Sequence, residues 1–432
     1  MLVTQALHRV RTPDRPCVDG LDRPARIQRL SAPRETAFWI VAYIFAVTIL
    51  GTSLPAPLYA IYQRHWHFSA AVLTLIFAAY AVAVLVTLLV AGRASDQAGR
   101  KPVMAVALGF SALSTVVFIL APSLGWLYLG RVLSGLSAGL MTGAAPAALT
   151  EMLQASDSRR SSMVATAANM GGAGLGPLIA GLFAEYLPQP TVLVFEAYLG
   201  LLVIAGLTLA FVPETVTNRQ RLSLRLTGLA MPREGRGEFI AAGLAAFAAF
   251  ALTGLFTSLA PGFVGGVLHQ VNFAVAGTVS FLIFAAALVA QLGLARANSR
   301  PVMLTGLGLF LVGLALVVTG MATNSLGWFL AGDVVGGIAV GALFIGSMST
   351  ASRLAPPERR AEIISAYFVF AYSGLIIPVV GVGVAADYVG NFRATLGCSI
   401  GLAALCLWSA AVVSGRSRTG ARGRPRPGPR PN

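Results

Sequence analysis

Charge is what this sequence has least of: 11% of its 432 residues are Asp, Glu, Lys or Arg, against 56% that are apolar. A water-soluble domain carries roughly 25% charged residues, so much of this chain's surface does not face water. Lysine occurs once, as Lys101 between Arg100 and Pro102. A Walker-type phosphate loop needs Gly-Lys followed by Ser or Thr, so ATP use through such a loop is excluded. There are three cysteines, and Cys398 and Cys406 stand eight residues apart on one apolar stretch. At about 1.5 Å per helical residue that is roughly 12 Å, beyond disulfide reach. No Cys/His cluster has metal-ligand spacing, so neither a metal nor another cofactor is expected. No Ser-His-Asp or HExxH arrangement lies in the apolar segments, which argues against an enzyme. The first 36 residues hold Asp14, Asp19 and Asp22 and have no apolar core ahead of a cleavage site, unlike a signal peptide.

What remains is a set of apolar runs, each long enough to cross roughly 30 Å of hydrocarbon. Twelve are expected, at 37–62, 69–92, 102–121, 124–150, 162–184, 190–213, 238–262, 272–294, 301–321, 326–351, 363–386 and 392–414. With both termini assigned to the cytoplasm, 28 of the 31 basic residues fall in cytoplasmic segments and 2, Arg64 and Arg393, in outer loops. That bias is a strong positive-inside signal. It also accounts for the formal charge of +15 without a nucleic-acid partner. The basic tail at 415–432 is expected to be disordered beside anionic lipid.

The chain repeats itself. Residues 124–140 and 326–342 agree at seven of seventeen positions, Gly135/Gly337 and Gly139/Gly341 among them. Pro102-Val103-Met104 returns as Pro301-Val302-Met303, Arg159-Arg160 as Arg359-Arg360, and Ala184-Glu185-Tyr186 as Ala386-Asp387-Tyr388, all at offsets of 199 to 202 residues. The expected organisation is a disordered cytoplasmic arm (1–36), a six-helix bundle (37–213), a basic cytoplasmic linker (214–237), a second six-helix bundle (238–414) and the tail (415–432). Two parallel six-helix units place a substrate cavity between them near the midplane.

Three charged groups lie well inside spans: Arg131, Glu196 and Asp333. The repeat puts Asp333 at the position equivalent to Arg131, so the two are expected to face one cavity from opposite halves. A carboxyl group in apolar surroundings favours its neutral form, which suits proton exchange. Glu196 is a second proton or cation site, or points to the outer headgroups. Arg131, about 10 Å inside the outer edge, is expected to face the cavity, because a charge at that depth is costly unless paired or hydrated.

The loop Gly92-Arg93-Ala94-Ser95-Asp96-Gln97-Ala98-Gly99-Arg100-Lys101 resembles the signature loop of the major facilitator superfamily (MFS), with Gln97 in place of an arginine. The resemblance implies a cytoplasmic gate in which Asp96 latches the opposing half, with Gly92, Gly99, Arg100 and Lys101 completing the turn. Arg131, Gly135 and Gly139 resemble the family's fourth-helix motif. The run Gly172-Ala173-Gly174-Leu175-Gly176-Pro177-Leu178-Ile179-Ala180-Gly181 resembles the bending motif of drug:proton antiporters, and Pro55-Ala56-Pro57 resembles the end of their first helix. Residues 37–62 lack the acidic residue that many of these exporters carry there. The resemblance implies an all-α membrane protein with 12 transmembrane helices in two parallel six-helix bundles, a monomer in a bacterial inner membrane. It further implies a proton-coupled exporter of small amphipathic or drug-like molecules, with the substrate, protons and the lipid bilayer as partners. A symporter importing a sugar or organic acid is the runner-up, and a non-transporting sensor is a third reading.

Overall fold

The computed structural model describes residues 32–153, 157–217, 219–221, 223, 226–268 and 272–420. The N-terminal arm up to residue 31 and the tail from residue 421 lie outside them. The described residues form fourteen α-helices: α1 (Arg34–Ser53), α2 (Tyr59–Trp66), α3 (Ala70–Ala91), α4 (Ala94–Ala98), α5 (Arg100–Ile119), α6 (Leu124–Met152), α7 (Ser158–Tyr186), α8 (Pro190–Leu209), α9 (Arg236–Leu268), α10 (Phe273–Leu294), α11 (Ser299–Ala322), α12 (Leu326–Leu354), α13 (Arg360–Val389) and α14 (Asn391–Gly420). All but the short α2 and α4 are long and apolar enough to cross a membrane, twelve among the described residues. No strand occurs among them.

The first apolar run is not one helix. Between α1 and α2 lies a turn over Leu54–Leu58 that contains Pro55 and Pro57, because proline lacks the N–H that would continue the ladder. The last helix runs to Gly420, past the expected edge of the tail at 414.

Helices from α1 to α8 share one apolar core, in which Phe38, Phe45, Leu54, Leu58 and Met104 are fully buried. Helices from α9 onward share a second, around Ile283, Phe310, Leu343 and Val379. The seam between them runs where α7 packs on α10 and α3 on α13. One face of the paired bundles carries the 92–101 loop, the described residues of the linker and most of the described arginines. That face is called the basic face below, and the other the opposite face.

The repeat seen in the sequence reappears as packing. A Cβ on Gly135 or Gly139 would collide with Ala83 or Thr87 of α3, and one on Gly337 or Gly341 with Ile283 or Ala287 of α10. In each half the same two glycines let the fourth long helix lie against the second. Helix starts match too: Ser69 accepts a hydrogen bond from Val72 N at the head of α3, and Asn272 from Val275 N at the head of α10. These polar caps satisfy first-turn N–H groups that the helix itself leaves free.

Candidate functional site

A cavity of about 210 Å³ lies between the halves. The first half contributes Thr52, Ser53, Tyr80, Arg131, Thr142 and Asn169 to its lining, and the second Phe250, Thr253, Gln291, Phe344, Phe368 and Tyr372. Its walls are thus aromatic, with hydroxyl and amide groups between the rings. Ligand sites take this form, with apolar area for contact and a few polar groups for orientation.

Arg131 enters the cavity from α6 and is 1% exposed. Its Nη1 donates to the Thr52 carbonyl oxygen, and its Nε has no partner. The guanidinium lies 5.5 Å from the ring centre of Tyr59, 5.4 Å from Phe77 and 5.0 Å from Tyr80. Faces of aromatic rings attract a cation, which helps to hold it at this depth.

Asp333 and Arg131 do not meet. Asp333 is fully enclosed, neither carboxylate oxygen has a hydrogen-bond partner among the described residues, and it is not among the described lining residues. It sits on α12 seven residues, about 10 Å, from Val340, which does line the cavity. Ser280 of α10, also buried without a partner, stands at a similar level: Gly337 packs on Ile283, and Asp333 and Ser280 are each about one turn earlier. An unpartnered carboxylate in such surroundings costs several kcal/mol, so the neutral acid is the form that fits.

Glu196 differs from the cavity expectation. It is exposed on α8 and does not line the cavity. The reason is the place of α8, which packs on α5, α1 and α7 at the bundle's outside.

On the basic face the 92–101 loop is tied within its own half and to the linker. Arg100 pairs with Asp96 at 2.5 Å and with Glu151 at 2.7 Å, while Asp96 is 58% exposed. Glu214 of the linker accepts from Arg100 N at 2.9 Å and Lys101 N at 3.3 Å, capping α5. Lys101 Nζ donates to the carbonyls of Ala210 and Val212. Gly99 has φ of +109°, and a Cβ there would meet Glu214 at 2.5 Å; the turn needs glycine. Gln97 accepts from Ser223 N at 2.8 Å through its side-chain oxygen. Arginine has no acceptor, so the departure at this position gives the linker an anchor that the usual residue cannot. Further along the same face, Arg160 pairs with Glu35 and Arg353 with Glu238, each pair inside one half.

On the opposite face the halves bind each other. Asp387, at the end of α13, accepts from Ala70 N at 3.2 Å and Ala71 N at 3.3 Å. Glu185, at the end of α7, accepts from Phe273 N at 2.9 Å. A carboxylate at a helix N-terminus satisfies free N–H groups and meets the positive end of the dipole. These two acids are the repeat-related pair of the sequence, and each caps the second long helix of the other half.

The α7 motif explains itself at one carbonyl. Pro177 cannot bond to Ala173 O, four residues back; Ser53 Oγ of α1 donates to that oxygen instead at 2.7 Å. Gly172 and Gly176 make the approach possible, since a Cβ on either would lie 2.4 Å from a carbonyl oxygen of α1, and Gly181 lies against Phe273 and Gly277 of α10.

The amide and aliphatic hydroxyl residues of the cavity, Thr52, Thr142, Asn169 and Gln291 among them, carry no charge to mark them in the sequence. Asn169 and Gln291 could have been found, since polar groups within apolar spans are rare and face the bundle interior.

Comparison with known proteins agrees with this architecture. The sequence pattern of the Major Facilitator Superfamily matches residues 41–296. Multidrug resistance protein 2 of Bacillus subtilis (strain 168) is 28% identical over 153 residues, 35% of this chain and 38% of that protein. Puromycin resistance protein pur8 of Streptomyces alboniger is 29% identical over 188 residues, 42% of this chain and 37% of that one. The chain thus spans less than two fifths of the length of these curated relatives. Among solved structures, a bacterial homolog of the human lysosomal transporter Spinster, in an inward-facing and occupied conformation, superposes with a TM-score of 0.66 at 15% identity, covering 91% of this chain and 99% of that one. The nucleoside transporter NupG superposes with a TM-score of 0.68 at 13% identity, covering 88% and 99%.

Proposed function

From a chain that belongs to the Major Facilitator Superfamily, and so is a multi-pass membrane transporter rather than an enzyme, we infer an exporter of small amphipathic molecules that works by alternating access in exchange for protons. The observation that carries this is the amphipathic cavity between the halves, capped across the seam at one face and tied only within each half by the pairs described at the other. The arginine bias assigns the basic face to the cytoplasm. The conformation is then open toward the cytoplasm and shut toward the outside, and both termini belong inside a bacterial inner membrane. The names of the resistance relatives and the Pro177 motif favour export.

Proton coupling is assigned to Asp333. Its carboxyl group lies on α12 seven residues from Leu326, the first of the outer end, and only its neutral form is readily enclosed. A proton arriving from outside therefore favours closure of the outer face, and its loss inward favours return. The Asp96 loop, whose described ion pairs lie within its own half, is the latch that engages the other half when the cytoplasmic side shuts.

Everted vesicles under an imposed pH gradient, challenged with puromycin and a panel of amphipathic dyes, test the reading. Substrate entry should release protons from the vesicle in the native protein, and Asp333→Asn should abolish that release. Proton movement in the same direction as substrate identifies a symporter, and full coupling in Asp333→Asn removes the proton site.

A further inference from the structure

We propose that the cavity is built for an organic anion: a carboxylate, sulfonate or phosphate carried on a flat apolar body. This rests on the transport reading above and narrows its substrate.

Charge in the cavity is one-sided. Among the described lining residues Arg131 is the one charged side chain, and none of them is Asp or Glu. A guanidinium does not give up its proton in a protein, so this buried positive charge cannot be removed by neutralisation. Nor is it met by a carboxylate. Its nearest described company is the Thr52 carbonyl and three ring faces, which ease a cation but carry no negative charge. The repeat supplies an acid at the equivalent position, yet Asp333 is walled off from the cavity. The counter-charge is therefore left to whatever enters.

A neutral polar side chain stands on the other half. Gln291 of α10 is 5% exposed, lines the same cavity, and its Nε2 has no partner. Arg131 Nε and Gln291 Nε2 are themselves enclosed, so what a ligand meets on the two sides is the positive charge of Arg131 and the neutral amide of Gln291. Placed from their positions along α6 and α10, they lie at different depths: Arg131 seven residues from the outer end of its helix and Gln291 eighteen from the outer end of its own. The anionic group belongs at Arg131, the closed end, where water is scarcest and the charge is worth most. Phe77, Phe284, Phe344 and Phe368 offer the apolar walls.

Arg131 has a competing role, as a brace joining α6 to α1 through Thr52. A brace is indifferent to the charge of a ligand, and this separates the two. Binding of 2-naphthoate, its neutral amide 2-naphthamide and the cation 2-naphthylmethylammonium is measured by equilibrium dialysis against the purified full-length protein, with thermal unfolding as a check on folding. The native protein should bind the acid at least about tenfold more tightly than either analogue. Arg131→Lys should keep the preference at lower affinity, and Arg131→Gln should bind acid and amide alike. Equal or tighter binding of the amide or cation by the native protein overturns the proposal, as does saturable binding of none of the three, or a folded Arg131→Gln that still prefers the acid. Should Arg131→Gln not fold, the native series and Arg131→Lys decide. Flux in vesicles keeps the two readings apart: transport of the cation with exclusion of the acid leaves export standing and removes the anion, whereas no movement of any compound in the wider panel defeats transport itself.

Discussion

At Ser53 a single hydroxyl repairs a hydrogen bond that Pro177 breaks in another helix. Ser53→Ala would leave the Ala173 carbonyl without its partner inside the protein. An unmade buried hydrogen bond costs about 1–3 kcal/mol, so the variant should unfold at a lower temperature in a detergent thermal-shift assay, while Thr in its place should recover part of the loss. An unchanged midpoint for Ser53→Ala would mean that water or the cavity already serves that oxygen. The charged residues were legible at this scale because each is an exception in an apolar run. Asp333 and Arg131 stood out for that reason, but their relation did not follow. Sequence gives the level of a residue along its helix through the repeat, whereas the direction it faces depends on helix rotation. Two residues at equivalent levels came to lie one in the cavity and one behind it.

Between elements, the paired caps of Glu185 and Asp387 are where the halves hold each other on the opposite face. Each cap is worth about 1 kcal/mol by comparison with helix N-caps elsewhere, enough for about a fivefold shift in a two-state balance. Asp387→Ala and Glu185→Ala should each raise the rate at which a membrane-impermeant maleimide added outside labels a reporter placed by Ala56→Cys in the cavity lining, and the double variant should raise it further. Equal labelling in all four proteins would show that the caps do not hold this face shut. The acids were visible as part of the repeat, in Ala184-Glu185-Tyr186 and Ala386-Asp387-Tyr388, but not their partners, because a backbone N–H has no signature in sequence. Most helix limits were legible to within a few residues from apolar length alone. The exception was the first run, where Pro55 and Pro57 stand inside what hydropathy reads as continuous.

For the molecule as a whole, an even number of crossings returns the chain to its starting side. Reporter domains fused at the two ends of the full-length protein should both be active in the cytoplasm; activity on opposite sides would contradict the twelve spans. The two-bundle architecture was the most legible feature, since duplication leaves similar residues at steady offsets and loop arginines mark one side. The cavity's neutral polar lining was the least legible, because Thr and Ser bond to their own helix as readily as to a ligand. Gly181 and Gly277 carry a last consequence. Their α-carbons leave no room for a side chain between α7 and α10, so two bare backbones bear on each other near the opposite face, and such a contact has little give. Were one half to rock on the other there, the contact would act as the fulcrum of a long lever: a small parting at the opposite face would become a far larger swing at the basic face, and bulk added at either glycine would jam it while leaving the cavity walls untouched.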